Sequence, residues 1–291
     1  MAPPNSAQDT PFMQAKLNIA KRAARRAGKI ILQASNSVGS MDAENIKKLD
    51  VQEKSANDWV TEIDKKAEEI IFSTLRDAFP DHGFLGEESG LIEGNGEGKD
   101  YLWIVDPIDG TTNFIRGIPH YAVSIGLKYK GQLEVSVVFD PIKNEEFTAM
   151  KGMGARLNDK RIRVSPLKTL DGALLGTGFP FLDRQQTHRD NYLAMLNDLT
   201  LNTAGVRRLG VASLDLAYVA AGRLDGFWEY GLMEWDMAGG ALLITEAGGM
   251  IGEFSGGHNY LKSGNVVCGN PKIFKAILQK IRPHLEGSLK G

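Results

Sequence analysis

The stretch Trp103-Ile104-Val105-Asp106-Pro107-Ile108-Asp109-Gly110-Thr111-Thr112-Asn113 decides the reading of this chain. It opens as an apolar strand and discharges into a turn that carries two aspartates three residues apart. Pro107 withdraws one backbone donor and stiffens the turn, and Gly110 admits a conformation strained for other residues. Both carboxylates can then face one centre, with the Ile108 carbonyl between them as a further oxygen ligand. If a helix begins there, the amides of Gly110 and Thr111 make a small anion pocket. The same residues also describe an ordinary Asx-rich turn.

Other carboxylates lie outward from this stretch. Gly86-Glu87-Glu88-Ser89 follows the apolar pair Phe84-Leu85, and adjacent side chains on an extended segment face opposite ways, so one of the two glutamates is expected to reach a given ion. A charged loop is the plain alternative. Thr61-Glu62-Ile63-Asp64 has the form of a capping box, and Trp235-Asp236-Met237-Ala238-Gly239-Gly240 places an aspartate at the start of an apolar helix, where it can equally act as an N-cap. Taken together, hard oxygen ligands from separated segments are what magnesium coordination needs, with water and a substrate phosphate completing the shell. Clustered carboxylates repel, so several should have raised pKa values without a cation, and bound metal should stabilise the fold. Softer chemistry has no foothold. HExxH, CxxC, GxSxG and DxDxDG are absent, and the histidines at 82, 120, 188, 258 and 284 are scattered.

The chain has 291 residues, with 34 Lys and Arg against 36 Asp and Glu, a formal net charge of −2. That length admits one large domain or two ordinary ones, and the charge balance argues against a bulk nucleic-acid binder. Hydrophobic residues make up 42%, ample for a buried core. Cys268 stands alone and can form no internal disulfide, so it reads as a small core residue suited to a reducing compartment. Neither a secretory signal nor an apolar run long enough to cross a bilayer is present, so the expected location is the cytoplasm, with no membrane contact.

Met13, Leu17, Ala20, Ala24, Ala27 and Ile31 recur at helical spacing, while Lys16, Lys21, Arg22, Arg25, Arg26 and Lys29 fill positions between them. This is an amphipathic helix with a basic face, plainly a solvated one, more sharply a contact for a membrane surface or RNA. A second helix is expected over Thr61 to Ala78, with Pro80 just past its end. Tyr101 to Val105, Tyr121 to Tyr129, Leu133 to Phe139 and Glu146 to Met150 read as an antiparallel sheet. After Ser165, helices (Asn191 to Leu199, Ala212 to Ala221, Asp236 to Ala247, Pro271 to Ile281) alternate with strands (Ala173 to Thr177, Gly226 to Glu229, Asn265 to Cys268), a layered α/β pattern. Gly94 to Gly98 has no phosphate-loop spacing and reads as a surface loop. The expected division is a disordered tail at 1–11, an N-terminal α+β subdomain at 12–165 with most of the metal ligands, a C-terminal α/β subdomain at 166–285 completing the site, and a tail at 286–291.

With these motifs in place, the chain resembles the inositol monophosphatase family over residues 12–285, most closely its bacterial inositol-1-monophosphatase branch. The family's D-P-[IL]-D-G-T-x-N-[FY] stands as Asp106 to Phe114, its G-E-E as Gly86 to Glu88, its W-D-x-A-[AG]-G as Trp235 to Gly240, and its earlier helical aspartate as Asp64. The resemblance implies an αβαβα sandwich and Mg2+-dependent hydrolysis of a small phosphate monoester such as myo-inositol 1-phosphate, sensitive to lithium, by a homodimer. It implies that Glu87, Asp106 and the Ile108 carbonyl hold one metal and Asp106, Asp109 and Asp236 a second, while Asp64 and Thr111 polarise the attacking water. Lys54 to Asp58 resembles a loop that bears a third, weaker metal in the family. Glu87, Ile108, Asp109, Gly110, Thr111, Arg207, Ala212, Glu229 and Asp236 are the implied substrate contacts, although Glu229 can also be a plain strand-end charge. Gly178 to Phe181 resembles a segment beside the substrate region.

Fructose 1,6-bisphosphate, a phosphoadenosine nucleotide, NADP or histidinol phosphate would suit the same chemistry. A second class of function is a regulatory protein that binds the transcription or ribosome-assembly machinery, as relatives in the bacterial branch do; the basic face from Lys16 to Lys29 is the feature that would serve it.

Overall fold

The computed structural model describes residues 10–37, 52–55, 58–180 and 183–290. In chain order, α1 (Thr10–Ser37) precedes a hairpin of β1 (Gln52–Ser55) and β2 (Asp58–Val60), then α2 (Glu62–Ala78). There follow β3 (Gly83–Gly86), β4 (Gly90–Ile92), β5 (Tyr101–Asp109), a short α3 (Thr111–Ile115), β6 (Ala122–Tyr129), β7 (Gln132–Asp140), β8 (Glu145–Met150), β9 (Gly154–Leu157) and β10 (Lys160–Arg161). The second half runs β11 (Leu174–Thr177), α4 (Arg189–Thr200), β12 (Gly205–Arg207), α5 (Ala212–Ala220), β13 (Gly226–Glu229), α6 (Glu234–Glu246), β14 (Met250–Gly252), α7 (Tyr260–Ser263), β15 (Val266–Gly269) and α8 (Pro271–Ile281).

Besides the β1–β2 hairpin, the described residues form two sheets, one of eight strands in the order β10-β9-β8-β7-β6-β5-β3-β4 and one of five in the order β12-β11-β13-β15-β14. Helices α1 and α2 cover the outer face of the first, α5 and α6 fill the space between the two, and α4 and α8 cover the outer face of the second. This is the αβαβα layering expected from the sequence. Of the three hydrophobic clusters, one lies under α1 and α2, one surrounds the central helices against both sheets, and one lies under α4 and α8. The chain passes from one sheet to the other between Arg161 and Leu174.

Strands β5 to β8 pair antiparallel, as the alternating runs suggested. Strand β3 pairs parallel to β5, Gly83 opposite Leu102 through Gly86 opposite Val105. Its apolar pair Phe84-Leu85 carries no directional signal, and only the return through β4 and the following loop sets the direction. That register brings the ends of β3 and β5 side by side, with the Glu87 N–H donating to the Val105 carbonyl at 3.2 Å.

Small residues draw the helices close to the sheets. Ala20, Ala23, Ala24 and Ala27 are fully buried along α1. On α6, a Cβ at Gly239 would collide with Ser124 and one at Gly240 with Leu216, so the Met237-Ala238-Gly239-Gly240 run seats this helix directly on β6 and α5. Asp236, one residue earlier, is carried to the sheet end by that seating.

Three expectations change. Helix α1 begins at Thr10, within the expected tail, because Pro11 falls in the first turn, where its missing N–H costs nothing; residues 1–9 lie outside the described residues. Lys16 leaves the basic face and is fully buried, its Nζ 3.0 Å from the Phe12 ring centre, 4.7 Å from Tyr101 and 4.9 Å from Phe79, and burial lowers its pKa to about 8. At the other end, 287–290 forms a 3-10 turn whose Leu289 is buried in the outer core beside α4 and α8, an apolar anchor that the short polar segment did not announce. Cys268 lies in the core as expected, and burial raises its thiol pKa. Among the described residues no helix is long and apolar enough to cross a membrane.

Candidate active site

The ends of β3, β5 and β13 and the first turns of α2, α5 and α6 meet in one region, and each contributes a carboxylate or the amides that hold one. Asp64 is the third residue of α2 and is almost wholly buried. The capping box forms: Thr61 Oγ1 accepts from the Ile63 N–H at 3.1 Å, and the Asp64 Oδ2 atom accepts from the Thr61 N–H at 2.9 Å and from the Thr61 hydroxyl at 2.5 Å. Its other oxygen, Oδ1, lies 3.0 Å from the Thr111 hydroxyl, which also lies 2.9 Å from the Ile108 carbonyl. Capping and a place in the site therefore coexist in one side chain.

Asp106 and Asp109 end β5. Gly110 has φ +96°, and a Cβ there would stand 2.7 Å from Val211 Cγ2, so both conformation and space demand glycine. Helix α3 starts at Thr111 with no side-chain cap, leaving its first-turn amides as donors. Asp109 Oδ2 accepts from the Ser213 N–H at 2.6 Å in the first turn of α5, just after Ala212. Asp236 is the third residue of α6 rather than its N-cap, and its Oδ2 accepts from the Met233 N–H at 2.7 Å. Glu68 holds the acidic loop after β3, accepting from the Glu88 N–H at 3.0 Å, the Ser89 N–H at 2.9 Å and the Ser89 hydroxyl at 2.5 Å.

Burial is the first cause of every large pKa shift here, and for Asp106 and Asp236 neighbouring negative charge is the second. Asp106 is raised well above the usual carboxylate range by burial and then by Glu87, Asp109, Asp236 and Asp64. Asp236 is raised likewise, by burial and then by Asp109. Asp64 is raised to about 6 by burial, with Glu88 adding to it and Thr61 and Thr111 opposing. Burial also brings Asp109 to about 6, against hydrogen bonds from Ser213 and Ala212 and the positive charge of Arg208. The Oδ1 atom of Asp106 is buried and receives no hydrogen bond.

An acceptor with no donor, surrounded by carboxylates, fits a hard cation and little else. Glu87, Asp106, Asp109, Asp236 and the Ile108 carbonyl are the oxygen donors in place. Among the described residues no three of these carboxylates close to metal-ligand spacing. Lys54 and Ser55 lie on β1 and Asp58 on β2, while residues 56 and 57 of that loop lie outside the described residues.

On the substrate side, Glu229 ends β13 and is raised to about 8 by burial, with Asp109 adding and Arg208 opposing. Arg208 is thus the guanidinium whose charge acts on Asp109 and Glu229. Arg207 is exposed and its Nη1 donates to the Val206 carbonyl at 3.3 Å. Several contributors escaped sequence reasoning: Glu68, Ser213, Asp215 and Arg208. Asp215 is buried on α5 with Oδ1 unpartnered, raised by burial and then by Glu229 and Asp109. A helix-interior aspartate facing inward among Leu214, Leu216 and Ala217 was the available signal.

The comparison with known proteins agrees with this fold. The model of the inositol monophosphatase family matches residues 13–286, and the chain belongs to that family. A Pseudomonas aeruginosa protein named Nus factor SuhB is 59% identical over 278 residues, 96% of this chain and all of the relative. The crystal structure of extragenic suppressor protein suhB from Bartonella henselae superimposes with TM-score 0.86 at 40% identity, covering 93% of this chain and 100% of that one. The inositol monophosphatase of Anabaena (Nostoc) sp. gives TM-score 0.78 at 35% identity, covering 94% and 97%.

Proposed function

We propose that this phosphatase-family protein hydrolyses myo-inositol 1-phosphate, or a similar small monoester, with two or three magnesium ions per subunit. The buried, donorless Oδ1 of Asp106 among four further carboxylates is the observation that carries this reading. Glu87, Asp106 and the Ile108 carbonyl would hold one ion, and Asp106, Asp109 and Asp236 another. Bound magnesium supplies charge neutralisation on the phosphate and acidifies an attacking water. Asp64, raised to about 6, is suited to take that water's proton, with Thr111 orienting it through the 3.0 Å contact. The first-turn amides of α3 would receive the phosphate oxygens, and Glu229, with Arg208 acting on its charge, would meet the leaving alcohol. The test is phosphate release from myo-inositol 1-phosphate, fructose 1,6-bisphosphate, 3′-phosphoadenosine 5′-phosphate, NADP and histidinol phosphate, with magnesium and with chelator. Magnesium-dependent preference for the first, lithium inhibition and loss of turnover in Asp106→Asn are expected. Normal turnover in Asp106→Asn would sink the assignment. The reading also places the enzyme in the cytoplasm as a homodimer, which sedimentation would check.

A second role is supported by the relative's name and by the face of α1. Lys21 pairs with Glu146 at 3.0 Å and Asp159 at 3.1 Å, Arg25 pairs with Glu146 at 2.7 Å, and Arg26 donates to Thr74 at 2.7 Å. Arg22 and Lys29 join them along a shallow groove of about 380 Å³. We read this groove as a docking face for the transcription or ribosome-assembly machinery. Reversing Arg22, Arg25 and Arg26 should abolish a salt-sensitive pull-down of RNA polymerase components while hydrolysis persists. No capture by the unaltered protein would end it.

A further inference from the structure

Strand β11 ends in Gly176-Thr177 with Gly178 next, and alternation along extended backbone sends the two glycines to one face and Thr177 to the other. On the glycine face, β13 runs parallel to β11 with Thr177 opposite Trp228, so Gly178 comes next to Glu229. The Glu229 carboxylate lies directly over the Gly178 Cα: a Cβ at 178 would fall only 1.8 to 2.4 Å from Glu229 Cδ and both its oxygens. The conformation of Gly178 is not in the left-handed region, so glycine is needed here for space alone. On the opposite face the Tyr192 hydroxyl of α4 donates to the Gly178 carbonyl and sits against the Thr177 hydroxyl, which donates to the Trp228 carbonyl at 2.8 Å. All three side chains are buried, so two hydroxyls pin the backbone on either side of the Gly178–Glu229 contact.

We propose that Gly178, held in place by Thr177 and Tyr192, is a specificity-determining position: it is the floor that sets where the Glu229 carboxylate meets the hydroxyl groups of a polyol phosphate. The inference rests on the phosphatase reading and deepens it, by assigning the hydroxyl-recognising side of the pocket to a strand that contributes no side chain to it. The atoms struck by an added methyl are the far end of a flexible side chain, so alanine at 178 displaces the Glu229 head and leaves the strand in place. The consequence is lost discrimination between esters rather than lost folding.

The test compares kcat and KM for myo-inositol 1-phosphate with those for phenyl phosphate, which offers Glu229 no hydroxyl. In Gly178→Ala the ratio of kcat/KM for the first ester over the second should fall about tenfold or more, mostly through KM, as loss of a hydrogen bond to a buried partner implies. Tyr192→Phe and Thr177→Val should lower the same ratio by smaller factors, and Thr177→Ser should restore it. Adding Gly178→Ala to Glu229→Ala should change nothing further, because the displaced group is gone. A ratio unchanged in Gly178→Ala, or a full additional loss in the double variant, would overturn the proposal while leaving the phosphatase reading intact. Wild-type protein inert on both esters with magnesium would overturn both. If Gly178→Ala is insoluble, the double variant should recover soluble protein, and its failure to do so would also count against the assignment.

Discussion

The Thr111 hydroxyl lies 3.0 Å from the Asp64 carboxylate, although the two residues are 47 positions apart and belong to different helices. Asp64 is already satisfied on its other oxygen by the Thr61 cap, so this contact is free to serve chemistry rather than folding. Thr111→Val should lower kcat by roughly 10²-fold with KM little changed, as expected when help to a general base is lost. Thr111→Ser should recover most of it in the same steady-state assay.

Gly110 offers a prediction on stability. With φ +96° and Val211 Cγ2 only 2.7 Å from where a Cβ would stand, Gly110→Ala should destabilise the protein by about 1–3 kcal/mol and displace the first turn of α3. A urea midpoint equal to that of wild type would contradict this.

Stability without divalent metal should fall as pH rises. Asp64 and Asp109 go from 3.8 to about 6 on folding and Glu229 from 4.5 to about 8, so the folded state holds these protons more tightly than the unfolded chain. Their contribution is complete below about pH 4 and is lost as pH climbs through 6 and then 8. Thermal melts in chelator should show that decline. Excess magnesium binds the ionised carboxylates and should stabilise more at each higher pH.

Removing charge at the centre should separate stability from function. Asp106→Asn deletes the carboxylate most strongly opposed by burial and by Glu87, Asp109, Asp236 and Asp64. In chelator its melting temperature should exceed that of wild type, by an amount equivalent to about 1–2 kcal/mol. The rise that magnesium produces in wild type should be absent. A lower melting temperature in chelator together with an intact magnesium effect would refute the arrangement.

Much of this was legible because it is local. The D-P-I-D-G-T-T-N turn, the Thr61–Asp64 capping box and the helical spacing of α1 and α8 each depend on residues within a few positions of one another, where propensity and periodicity act. Lys16 shows the limit: its spacing assigned it to a solvated face, while Phe12 one turn away and the distant rings of Phe79 and Tyr101 made burial acceptable. The parallel direction of β3 and the role of Glu68 were hidden for a similar reason, since each depends on which distant backbone arrives beside it.

By itself the sequence determined the layered class of the fold, the carboxylates and their turn, and the family to which they belong, because those follow from residue type and short-range spacing. Tertiary structure alone decided that Arg208 rather than Arg207 bears on Asp109 and Glu229, that Ser213 caps Asp109, and that Glu229 rests on the bare backbone of Gly178. These depend on strand register and on close approach between segments far apart in the chain, and a burial cost or an empty Cβ position exists only once the segments have met.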